Sequence, residues 1–291
     1  MMSVTIENDN LRVVINPKGA ELDSVFHKHH QLEYLWQGDA AFWGKKSPVL
    51  FPIVGTLKDN SFIYGGKTYH LPRHGFARDR VFDLEKQTAT EAVFLLKSDA
   101  ESLKVYPFDF EFRLHYTLID NSLRVGYDVK NTTSGDMYFS VGGHPAFRVP
   151  LVERMVYTDY FITLDQAETV GRYPLSKEGL LELETNPFLE NEDTIPLKSS
   201  LFYADAVVLK HLKSDKMTIR SEKTTYGLSM TFAGFPFFGI WAAKDAPFVC
   251  LEPWCGVADS VNVSQRLEEK EGIVKLEQGE QMIKTWSIDI F

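Results

Sequence analysis

The chain has little cysteine, no long apolar run, no basic cluster and few helix signals. Its two cysteines, Cys250 and Cys255, lie five apart with no histidine beside them in the sequence. That spacing makes a poor structural zinc site and calls for no disulfide; the plain reading is two reduced, partly buried thiols. No stretch of about 18 apolar residues occurs, so no helix is expected to span a membrane. The start, Met1-Met2-Ser3-Val4-Thr5-Ile6-Glu7, lacks the basic region and apolar run of a secretory signal, and the expected location is the cytoplasm. Net charge is −9 with Lys and Arg scattered, which argues against a nucleic-acid partner. Helix signals reduce to residues 98–103, one capped turn before Tyr106-Pro107, and 264–272, charged and without an apolar stripe, a loop or short surface helix. No Gly/Ser/Pro-rich linker and no fixed-period repeat divides the chain.

What is present is alternation. Phe112, Leu114, Tyr116 and Leu118 alternate with polar residues, and after Asp120-Asn121-Ser122 the same holds for Leu123, Val125, Tyr127 and Val129. This is a hairpin with one buried face. Phe62 and Tyr64, then Gly65-Gly66, then Thr68 and Tyr69 predict a second. Leu228, Met230 and Phe232, and at the end Trp286, Ile288 and Ile290, repeat the period. With 291 residues, 44% of them hydrophobic, the expectation is one large all-β domain over residues 1–291, an antiparallel β-sandwich. More than a third of residues should lie in strands and less than about 15% in helix, below the usual helical share. His27-Lys28-His29-His30 is expected as a surface turn without a functional metal.

Four segments gather titratable groups with Gly, Pro or aromatic residues: Pro72-Arg73-His74-Gly75-Phe76-Ala77-Arg78, Gly142-Gly143-His144-Pro145-Ala146-Phe147, Leu201-Phe202-Tyr203-Ala204-Asp205-Ala206 and Glu252-Pro253-Trp254. His144 and Glu252 each precede a proline, which holds the residue extended and outside a helix. A histidine and a glutamate at the ends of apolar segments are a candidate acid–base pair. Each also has an ordinary structural reading: His74 and His144 as turn histidines bonded to backbone, Asp205 as a turn former, Trp254 as core. Glu252 is harder to dismiss, because a carboxylate after Phe248-Val249-Cys250-Leu251 is partnered or functional. A glycoside hydrolase would need two flanking carboxylates, of which only Asp205 is an obvious second. A cupin-like metal enzyme would need clustered histidines, and these are scattered. A non-catalytic sugar-binding module would keep the aromatics without needing both His144 and Glu252.

In their order, HGFAR (74–78), GGHPAF (142–147), FYADA (202–206) and LEPWCGVADS (251–260) resemble the aldose 1-epimerase (mutarotase) family, nearest to its LacX-like bacterial members. The resemblance runs from about residue 4 to about residue 290. It implies a galactose mutarotase-like supersandwich with an open sugar cleft, a small-molecule aldohexose or its phosphate as partner, and no metal or cofactor. It implies His144 as general acid on the ring oxygen, Glu252 as general base on the anomeric hydroxyl, His74 as a substrate-binding histidine, Asp205 as a partner of sugar hydroxyls, and Arg78 near the site. Trp254 would offer an apolar platform to the sugar ring. Many members carry a sugar-contacting arginine where this chain has Thr56, so Arg73 or Arg78 is expected to supply that charge. Ring opening by this pair requires Glu252 ionised and His144 protonated, which unperturbed pKa values of about 4.3 and 6.5 permit in a mildly acidic window.

Overall fold

The structure, a computed structural model, describes residues 2–291; Met1, the first position of the expected domain, lies outside them. Strands account for about 51% of residues and helix for about 8%, as the alternation predicts. The largest sheet has nine antiparallel strands in the order Asn186–Pro196, Tyr160–Arg172, Lys216–Ser221, Thr224–Thr231, Gln281–Ile290, Ser122–Asn131, Phe110–Ile119, Glu91–Lys97 and Asp83–Gln87. A smaller sheet runs Val207–Lys210, Phe237–Trp241, Phe248–Cys255, Val141–Gly143 and Val49–Leu50, and Ala146–Arg148 also pairs with Phe248–Cys255. A four-stranded sheet, Val4–Glu7, Leu11–Asn16, Glu21–His27 and Leu32–Glu33, occupies the N-terminal end.

The hairpins form as their periods require. Phe112 lies opposite Val129 and Leu118 opposite Leu123, and the alternating residues of both strands are buried. Tyr64 pairs with Lys67 across Gly65-Gly66, whose φ values of +55° and +74° are those of a primed two-residue turn. Residues 98–103 yield the helix Ala100–Val105, entered through a capping box: Ser102 N–H donates to the Asp99 carboxylate and Asp99 N–H to the Ser102 hydroxyl. Segment 264–272 supplies only the turn Leu267–Glu269, pinned by buried Leu267. His27 departs from the expected surface turn. It ends the strand Glu21–His27, is buried, and stacks on His30 at 3.6 Å. Among the described residues no helix is long and apolar enough to cross a membrane.

The large sheet seats the smaller one. Trp286 Nε1–H donates to the Tyr127 hydroxyl at 2.7 Å, and both side chains press on Gly143, where an added Cβ would lie 2.6 Å from the Tyr127 oxygen. Phe51, next to the short strand Val49–Leu50, stacks on Phe112 of the large sheet at 4.5 Å. The backbone that carries His144 therefore rests on a packed core with little freedom to shift.

Candidate active site

Glu252 lies on the central strand of the smaller sheet, paired with Gly239 on one side. Strand alternation sends Cys250, Glu252 and Trp254 to one face. On the other side the sheet is interrupted. Val141–Gly143 pairs with the end of Phe248–Cys255, Ala146–Arg148 with its start, and His144-Pro145 falls in the break. The proline at 145 leaves this break unable to continue as a regular ladder, so the imidazole turns toward the carboxylate. His144 Nε2 stands 3.3 Å from Glu252 Oε2. Trp254 has its place because Gly142 and Gly239 flank it: a Cβ on either would come within 2.6 Å or 2.4 Å of its indole.

A cavity of about 430 Å³ opens over this face, and all six residues singled out in the sequence, His74, Arg78, His144, Asp205, Glu252 and Trp254, line it. His74 stands at φ +68° in the turn after Pro72, and Gly55 N–H donates to its Nδ1 at 3.1 Å. A neutral ring fixed this way carries its proton on Nε2. Burial holds the His74 pKa well below the usual value, with His144, Arg73 and Arg78 acting in the same direction. Asp205, at φ +85°, lies 3.5 Å from Arg73 Nη1. Arg78 donates from Nη2 to the Arg73 carbonyl, while its Nε is buried with no hydrogen-bond partner among the described residues. His144 Nδ1 and Trp254 Nε1 are buried and unpartnered in the same way. Buried donors left open around a cavity suit a polar ligand rich in hydroxyls.

Burial also sets the charge state of the pair. It pushes the Glu252 carboxyl well above its ordinary value, against the pull of Arg73. It presses His144 down to about 3, and Arg73 and Arg78 add to that. Burial thus acts on both groups in the direction of the neutral pair, a carboxylic acid beside a neutral imidazole.

Three features of the site were not legible in the sequence. Trp43, on the loop before the short strand Val49–Leu50, stacks on His144 at 4.9 Å with planes 29° apart, and Trp241 meets the same ring edge-on at 5.5 Å. An indole face over an imidazole steadies the ring and favours its cationic form by about 0.5–2 kcal/mol. Thr56 is buried beside Gly179, whose added Cβ would sit 2.9 Å from Thr56 Oγ1 and 3.5 Å from Arg73 Nη1. The segment carrying Gly179 is tied down through Leu181, which donates to the Asp259 carbonyl and accepts from Val261 N–H. A long side chain at 56 would collide with this strap, while Arg73, close to the same glycine, lines the cavity. Finally, Cys250 is not remote from histidine: folding brings His144, Cys250 and Glu252 within 4.8 Å of one another. Cys250 and Cys255 are both free thiols and both buried.

Comparison with known proteins follows this geometry. The aldose 1-epimerase family profile matches residues 2–289. The chain is 37% identical over 299 aligned positions to the chromosomal protein LacX of Lactococcus lactis subsp. lactis, covering 99% of each chain. It superposes on a galactose mutarotase related enzyme from Lactobacillus acidophilus with a TM-score of 0.95 and 38% identity, covering 100% of this chain and 97% of the other. A galactose mutarotase-like protein from Lactobacillus casei aligns with a TM-score of 0.91 and 30% identity over the full length of both. With its sandwich, its cavity and its four motifs in order, the chain belongs to the aldose 1-epimerase family.

Proposed function

We propose that the protein is a mutarotase that interconverts the α and β anomers of a free aldohexose. The observation that carries this reading is the His144–Glu252 contact of 3.3 Å at the floor of the cavity. The anomeric hydroxyl and the ring oxygen of an aldose hang on the same carbon. A base and an acid that serve both must themselves be close neighbours. Glu252 takes the proton of the C1 hydroxyl while His144 delivers one to the ring oxygen, and the C1–O5 bond breaks. The aldehyde turns about C1–C2 and recloses on its other face, with the two groups exchanging roles. His74, Asp205 and Arg78 hold hydroxyls, and Trp254 lies against the ring. The direct test is NMR exchange spectroscopy between anomers, run with free hexoses and their 6-phosphates. No acceleration over buffer with any of them rejects the reading.

One proton suffices for this cycle. The ion pair that opens the ring and the neutral pair that recloses it hold the same single proton, differently placed. Two unperturbed groups would keep that count only between about 4.3 and 6.5. Burial raises Glu252 and lowers His144, so the one-proton state of the coupled pair extends through neutrality. Below the window the pair takes a second proton and Glu252 cannot accept; above it the only proton is lost and His144 cannot donate. We expect kcat/KM to stay flat from mild acid through neutrality, a wider top than two ordinary groups allow. A profile that peaks in mild acid and has fallen severalfold by neutrality contradicts the shared-proton account.

A hexose 6-phosphate is the second reading, favoured by Arg78, whose Nε makes no hydrogen bond and has only Asp79 at 3.8 Å among the described residues, and by Arg73 beside Asp205. Against it stands the net charge of −9, which repels an anion, although salt screens that field over about 8 Å. For a free hexose, Arg78→Ala should weaken kcat/KM for the parent sugar, and a 6-phosphate should bring no gain. A lower KM for the phosphate at similar kcat, with Arg78→Ala harming it more than the free sugar, selects the second reading.

A further inference from the structure

We propose that His144, Cys250 and Glu252 bind a soft divalent cation, zinc above all, as an inhibitory ligand that occupies the place of the sugar's reacting oxygens. The three side chains offer an imidazole nitrogen, a thiol sulfur and a carboxylate oxygen, each buried, with all three atoms within 4.8 Å of one another. Zinc binds such donors at about 2.0–2.3 Å and tetrahedral angles, which sets neighbouring ligand atoms about 3.4 Å apart. The His144 Nε2 to Glu252 Oε2 distance of 3.3 Å matches that spacing as it stands. Cys250 is two residues from Glu252 on the same strand face, and with the three atoms within 4.8 Å of one another closing the third ligand requires a shift of at most about 1.4 Å. His144 and Glu252 line the cavity and Cys250 is buried beside them, so a fourth ligand would come from the cavity side.

The donor set selects the metal class. A thiolate and an imidazole favour zinc or cadmium and disfavour magnesium and calcium, which prefer oxygen. Binding displaces the thiol proton and the proton shared by His144 and Glu252, so two protons leave to solvent for each ion bound. Trp43 and Trp241, packed on His144, exclude solvent on the imidazole side and hold the ring toward the metal position. Occupation removes both the acid and the base, which turns the site off without any change of fold.

The binding claim stands apart from the proposed activity; only the inhibition claim rests on it. The test uses the full chain freed of metal by chelator. Zinc titration by calorimetry should find one site per chain, and cobalt in its place should give a sulfur-to-metal charge-transfer band. Cys250→Ala should lower zinc affinity by at least about 100-fold and remove that band, and Cys250→Ser, closer in shape, should do the same if the alanine variant proves unstable. Zinc should inhibit anomer exchange competitively with sugar, chelator should reverse it, and magnesium at the same concentration should not act. Zinc affinity unchanged in both Cys250 variants overturns the proposal. So does a site lost in His30→Ala instead, which would put the ion at the histidine turn. Tight binding without inhibition, in a protein that does exchange anomers, overturns the inhibitory role, while the calorimetric and cobalt results judge the site even if no anomer exchange is found.

Discussion

Glu252→Gln should slow anomer exchange by about 10²- to 10⁴-fold, the loss expected when one positioned proton transfer is removed. Glutamine keeps the shape of the side chain and both of its polar ends. It cannot take the C1 hydroxyl proton. Glu252 is buried, with 1% of its surface exposed, and His144 Nε2 lies 3.3 Å from its carboxyl. Replacing a buried ionisable group by a neutral isostere removes a desolvation cost, so the variant should melt no lower than the parent. KM should change little, because the proposed hydroxyl contacts of His74, Asp205 and Arg78 and the ring contact of Trp254 remain. The measurement is NMR exchange at saturating sugar beside a thermal melt. Normal turnover would mean that Glu252 is not the base, and a lost fold would mean that the carboxylate serves structure first.

Much of this architecture could be read from the chain because a half-buried antiparallel strand writes its pattern locally. The hairpin of Phe110–Ile119 and Ser122–Asn131 shows its buried face as a two-residue period, and in the hairpin of Ser61–Tyr64 and Lys67–His70 Gly65-Gly66 marks the turn by a backbone conformation that glycine adopts at low cost. Glu252 stood out for a related reason: an acid ending an apolar run and fixed by proline is costly unless it is used. Trp43 had no such mark. It sits in a polar loop about a hundred residues from His144, and nothing local distinguishes an indole that packs on a catalytic ring from one that does not. The relation of Thr56 to Gly179 was hidden likewise, since it depends on a strap anchored through Leu181 and Asp259. The resemblance located an arginine missing at 56, while the reason, that the space is filled by another segment, is a three-dimensional one. Cys250 is the sharpest case. Spacing in the sequence sets Cys250 beside Cys255 alone, whereas His144 reaches Cys250 only through the sheet.

His144→Asn should cost as much as loss of the base, about 10²- to 10⁴-fold in kcat, and the comparison of single and double variants carries more information than either alone. Asparagine can still donate a hydrogen bond from about the position of Nδ1, so the other sugar contacts should persist, but it does not reach the place of Nε2 and cannot deliver a proton to the ring oxygen. If Glu252 and His144 pass one shared proton back and forth, removing either breaks the cycle, and removing both costs little more than removing one. Independent contributions would instead multiply, to about 10⁴-fold or beyond even at the low end. We therefore expect Glu252→Gln/His144→Asn to fall within about tenfold of the slower single variant. The pH profile supplies a second reading. With His144 gone, Glu252 loses the partner with which it shares a proton, and the remaining activity should follow one ionisation rather than two. A double variant as slow as the product of the two single losses would show that the groups act separately, and a His144→Asn protein that turns over at the parent rate would move the acid to another residue of the cavity, of which His74, 5.8 Å away between ring centres, is the nearest imidazole.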